Sequence, residues 1–122
     1  FSELRSYRLL DWNSSKPLLI LEKSWKLPDE GGHDLSAINE NEMIVSTHHN
    51  VFDFDIKKEQ FNVFEPLAGK HDIKSANYNK VNQRLVYTQA EQSWWTFNIY
   101  SVNPNQIINI PDIKLYKVRM LK

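Results

Sequence analysis

Gly32-His33-Asp34-Leu35 returns as Lys70-His71-Asp72-Ile73, with the two histidines 38 residues apart. This echo constrains the fold more than any other feature of the chain. Repeats with a period of about 40 residues mark arrays in which each unit is one supersecondary module. After each His-Asp-apolar step the same order of signals follows. An Asn-rich turn (Asn39-Glu40-Asn41; Asn79-Lys80-Val81-Asn82) leads into a β run (Glu42 to Thr47; Arg84 to Gln89). A polar loop precedes a longer alternating strand (Val51 to Ile56; Trp94 to Val102). A turn and a shorter strand follow (Gln60 to Phe64; Gln106 to Ile110), and each round closes at a proline, Pro66 or Pro111. Four short strands per round predict an all-β fold, a partial β-propeller of four-stranded antiparallel blades.

Side-chain periodicity agrees with strands. Phe52, Phe54 and Ile56 alternate with Val51, Asp53 and Asp55, and Trp95, Phe97 and Ile99 alternate with their neighbours in the same way. No window of useful length carries apolar residues at helical spacing. Ser6 to Trp12 and Leu18 to Leu27 read as the last two strands of a preceding blade, ending at Pro28, and Ile113 to Met120 reads as the first strand of a following one. Residues 1–122 thus form a single propeller-type unit: blade strands 6–28, a blade at 33–66, a blade at 71–110 and an extra strand at 113–120. Propellers close with about four to eight blades, so three arrangements follow. The chain is part of a longer protein whose N-terminal blades are missing here, which is preferred, or copies self-associate, or the blades form an open stack. A β-sandwich of nine or ten strands is the alternative; it accounts for the strand count but leaves the 38-residue echo as coincidence.

The aromatic content (four Trp, five Tyr, six Phe) and 41% apolar residues are enough for a packed core. Fifteen basic residues balance fifteen acidic ones, and no basic run occurs, so the electrostatic footprint of a nucleic-acid binder is lacking. No stretch approaches the roughly 20 apolar residues that span a bilayer, so membrane insertion is not expected. With no cysteine, disulfides and thiolate metal sites are excluded.

In a propeller blade, the loop entering the innermost strand and the loop between the second and third strands open on one face. His33, Asp34, His71 and Asp72 enter innermost strands. Thr47-His48-His49-Asn50 and Glu91-Gln92-Ser93-Trp94-Trp95 lie on the second kind of loop. All are expected around one mouth of the axial channel, where converging polar groups offer a place for a ligand. The candidate ligand contacts are Trp94, Glu91, His33, His71 and Lys74. Aromatic faces suit sugar rings, and Glu91 would stand near Trp94 as a hydrogen-bond partner. Each residue also has a plainer role: repeated His-Asp steps brace a blade, Trp94 packs on the next blade, and Lys74 is solvated. Adjacent strand residues point to opposite faces, so His48 and His49 reach one ligand only if they sit in a bend. No catalytic residue is assigned, since one carboxylate is not the pair that glycosidic chemistry uses. Neither a metal site nor a cofactor is expected, and no phosphate loop, nucleophile elbow or zinc signature is present.

Several strings resemble a group of uncharacterised bacterial propeller proteins of Bacteroides type. They are Trp25-Lys26-Leu27-Pro28, Gly32-His33-Asp34-Leu35, Phe64-Glu65-Pro66-Leu67, Ile73-Lys74-Ser75, Tyr116-Lys117-Val118-Arg119 and, most specifically, Glu91-Gln92-Ser93-Trp94-Trp95-Thr96. The resemblance runs from about Tyr7 to Leu121 and is to the C-terminal half of that group. It implies a propeller fold, an exported location (periplasm or cell surface) and a link to carbohydrate use; it implies no reaction. The function expected is therefore non-catalytic binding of a glycan or other small ligand, or a scaffold. A carbohydrate-active hydrolase or lyase and a protein–protein interaction module are the alternatives.

Overall fold

The computed structural model describes residues 1–90, 97–103 and 105–110, with the backbone alone for 97, 98, 106 and 108–110. The described residues are all-β. Ten strands run in chain order: β1 (Glu3–Leu10), β2 (Leu18–Lys26), β3 (Asp34–Ala37), β4 (Glu42–Ser46), β5 (Val51–Asp55), β6 (Gln60–Val63), β7 (Ile73–Asn79), β8 (Arg84–Ala90), β9 (Phe97–Val102) and β10 (Gln106–Ile110), with a short 3₁₀ turn at Glu65–Leu67. They form three antiparallel sheets, none closed: the ribbon β1-β2 and two four-stranded sheets ordered β3-β4-β5-β6 and β7-β8-β9-β10. Each four-stranded sheet is a meander in which sequential strands are neighbours. The expected strand at 113–120 lies outside the described residues, as do Trp94 to Thr96 of the expected strand from Trp94 to Val102. Among the described residues no helix is long and apolar enough to cross a membrane.

The expected strand from Ser6 to Trp12 instead begins at Glu3 and stops at Leu10. Asp11 takes a left-handed φ of 52° and its carbonyl accepts from Ser14 N–H at 2.9 Å, a tight turn that ends the ladder.

Two apolar cores separate the three sheets. One lies between the ribbon and β3–β6: Leu4, Leu27, Val45, Phe52 and Phe54, with Trp25 and Phe61 packed against them. The other joins β3–β6 to β7–β10: Ile44, Val51, Phe64, Leu67, Ile73, Ala76, Leu85 and Tyr87. Ile44 and Val45 are sequence neighbours on β4 and feed opposite cores, as the strand period demands. The middle sheet is thus covered on both sides.

The two four-stranded sheets meet along β3 and β7. Ser36 Oγ donates to the Ala76 carbonyl at 2.7 Å, and Ser75 Oγ donates to Asp34 Oδ2 at 2.9 Å. β7 is consequently buried on both faces, from Ile73 through Asn77. Its ladder to β8 pairs Ile73 with Gln89 and Ser75 with Thr88, leaving Lys74 as the extra residue of a β-bulge. Bulges re-aim the side chain they carry.

Candidate functional site

All four histidines of the chain gather at one end of the β3–β7 junction. Their positions follow from the strand order. His33 precedes β3, His71 precedes β7, and His48 and His49 lie on the loop from β4 to β5. Antiparallel pairing returns that loop to the end where β3 begins, and His33 N–H donates to the Ser46 carbonyl at 2.8 Å.

The β4–β5 loop is a bend held from a distance. Asp29 Oδ2 accepts from Thr47 Oγ1 (2.7 Å), from His49 N–H (3.0 Å) and from Asn50 Nδ2 (3.1 Å). The Thr47 hydrogen bond holds the Asp29 carboxyl at about 2 against the opposing effect of burial, helped by the His49 and Glu30 amides and the Asn50 side chain. Curled this way, the His48 and His49 rings meet edge-on at 4.6 Å, and the His33 ring stands 5.9 Å from His48.

Asp72 is the centre of the other half. Its backbone is left-handed (φ 55°), a conformation that Asp tolerates better than most residues. It is pinned there because Asp72 N–H donates to the His48 carbonyl (3.1 Å) and Ala90 N–H donates to the Asp72 carbonyl (3.2 Å). Gln89 Nε2 fixes the preceding residue by donating to the His71 carbonyl at 2.9 Å. His71 Nδ1 lies 3.0 Å from Asp72 Oδ2, and His48 Nδ1 lies 3.7 Å from Asp72 Oδ1. Partial burial raises the Asp72 carboxyl, but the His71 hydrogen bond and the charge of Lys74 outweigh it, so it sits below its ordinary value.

Lys74, aimed by the bulge, completes the group. It is 6% exposed, so the expectation of a solvated lysine does not hold. Its Nζ lies 3.4 Å from His33 Nε2. An ammonium can only donate, so the contact selects the neutral His33 ring with its proton on Nδ1. Burial lowers the Lys74 amine, Asp72 opposing; burial, then Lys74 and His48, lower the His33 imidazole.

Of the expected ligand contacts, His33, His71 and Lys74 come together near Asp72, His33 by way of Lys74 and His48. Trp94 and Glu91 lie outside the described residues. The two His-Asp steps are not equivalent. Asp34 is buried and its carboxylate receives the Ser75 hydroxyl, whereas Asp72 faces the imidazoles. Sequence reasoning placed His48 and Asp72 at the same mouth but left both out of the ligand contacts, because a repeated His-Asp step also reads as a brace and adjacent strand residues point apart unless they sit in a bend. Chemically the group offers an ammonium, imidazoles and one carboxylate, a mixed set of donors and acceptors for a polar ligand. Among the described residues no group of three His, Cys, Asp or Glu is set to hold a metal ion.

Compared with protein-family models, curated proteins and solved structures, the chain matches none.

Proposed function

We propose that the chain is part of a β-propeller-type protein that binds a small polar ligand, without catalysis, at the histidine-rich end of the β3–β7 junction. The observation that carries this is the convergence of His33, His48, His71, Asp72 and Lys74 from two neighbouring sheets. Groups brought together from separate modules around a partly buried lysine are what a ligand pocket requires. The propeller reading is supported by two four-stranded meanders stacked with their first strands adjacent, in place of the two sheets of a single sandwich. A glycan is the ligand class implied by the resemblance to Bacteroides-type propeller proteins, as is an exported location. One carboxylate among the imidazoles favours binding over hydrolysis, which uses a carboxyl pair at defined separation.

The test is a titration with neutral and acidic oligosaccharides, followed by imidazole NMR shifts in the wild type and by calorimetry in Lys74→Met and His33→Ala. The reading expects imidazole shifts on binding and at least tenfold weaker affinity in both variants. Unchanged affinity in both variants would move the site elsewhere. Absence of binding across the panel would remove glycans as the ligand class.

A further inference from the structure

Away from the histidines, the junction between the two four-stranded sheets carries a pair of carboxyl groups. Glu42 opens β4. Asp53, in the middle of β5, sits opposite Ile44 and so on the face turned toward β7. Both line a cavity of about 180 Å³ with Phe64, Glu65, Tyr78 and Lys80. Glu42 is well supplied with donors. Lys80, from the turn between β7 and β8, donates to Glu42 Oε1 at 2.8 Å, and Asn39 Nδ2 donates to the same oxygen at 3.0 Å. Asp53 is not: its Oδ1 is shut off from solvent and accepts no hydrogen bond. What the Asp53 carboxyl does face, within hydrogen-bonding reach, is the Glu42 carboxyl.

Two carboxylates this close do not both ionise freely. We propose that Glu42 and Asp53 hold a single shared proton, and that this proton, with Lys80 bridging from the neighbouring sheet, makes the docking of the two four-stranded sheets dependent on pH. Burial first, then the hydrogen bond and charge of Glu42, push Asp53 up to about 6, with Asp55 adding repulsion and Lys80 opposing it. The Lys80, Asn39 and Asp53 hydrogen bonds hold Glu42 at about 2. Glu65 and Tyr78 are the remaining titratable groups on the cavity wall.

The sign follows from linkage. Unfolded, Asp53 titrates at its ordinary 3.8; folded, it holds its proton to about 6. Between those values only the folded chain carries the proton, so stability falls as pH rises and levels off above about 6. Glu42 acts with the opposite sign, but its contribution is complete above 4.5. His33, whose imidazole burial lowers from its ordinary value, also favours the folded chain as pH rises. A variant that removes Asp53 alone therefore isolates its effect.

The test is urea denaturation of the whole chain from pH 4.5 to 7, comparing wild type with Asp53→Asn. The amide has nearly the carboxyl's shape and supplies a permanent donor to Glu42. The ratio of the wild-type folding constant to that of the variant is expected to fall by up to about tenfold per pH unit until pH 6 and then stay flat. At pH 7 the variant should be at least as stable as wild type. Parallel pH curves would overturn the proposal. If the variant does not fold, ¹³C NMR titration of the wild-type Asp53 carboxyl decides: a midpoint near 6 supports the shared proton, and one below 4.5 overturns it.

Discussion

Asp29 shows how a single side chain can organise residues twenty positions away. Its carboxylate holds the Thr47–Asn50 bend through three donors, and the bend is what lets two consecutive histidines keep their rings together. On a regular strand they would point apart. The histidines themselves were legible in sequence, because the repeat singled out His33 and His71. Their meeting with His48 followed from the strand order, but the contact between the His48 and His49 rings did not, since it depends on a hydrogen-bond acceptor that no local pattern connects to the loop. Asp29→Ala should cost about 1 kcal/mol at pH 7, allowing for the solvent around this partly exposed group, as read from the urea midpoint. The folded carboxyl sits at about 2 against an ordinary 3.8. Its contribution is therefore complete above 3.8 and lost as pH falls through 2. The difference between wild type and variant should shrink over that range and vanish below it.

At the scale of elements, β5 and β7 mark the reach and the limit of periodicity. The alternation in β5 identified Phe52 and Phe54 as one face, and both do enter the core against the ribbon. The same alternation gave no sign that Val51, on the other face, is also buried, because a strand between two sheets has no solvent side. In β7 the pattern disappears altogether: Ile73 to Asn77 are all buried, polar and apolar alike. The bulge at Lys74 is likewise invisible in sequence, since it is a property of pairing with β8. Phe54 is the side chain on which the ribbon junction most depends. It is 1% exposed, with Trp25 at 5.0 Å and Phe61 at 4.5 Å between ring centroids. Phe54→Ala leaves a cavity that rigid neighbouring sheets close poorly, and should cost about 3–5 kcal/mol in chemical denaturation. Loss of less than about 1 kcal/mol would mean that the ribbon does not depend on this contact.

For the whole molecule, the ribbon leaves an apolar face uncovered among the described residues. The register of the ribbon sets Tyr7 opposite Leu21 and Leu9 opposite Leu19, so these four side chains share a face. That face is the reverse of the one carrying Leu4 and Trp25 into the core. All four are close to half exposed or more, Leu19 reaching 67%. The sequence marked these residues as strand, but nothing in it separated the covered face from the bare one, because a bulge between Ser6 and Tyr7 shifts the pairing partway along. In a stack where every other junction is a packed sheet face, a contiguous apolar surface of this kind is expected to drive association. The 122-residue chain should therefore show a mass that rises with concentration in light scattering after size exclusion. The double change Leu19→Lys and Leu21→Lys should lower that mass toward the monomer without loss of folding, since neither side chain belongs to a core. A strictly monomeric wild-type chain at high concentration would show that this surface is tolerated bare. Association unchanged by the two lysines would place the contact on another face or on an open strand edge.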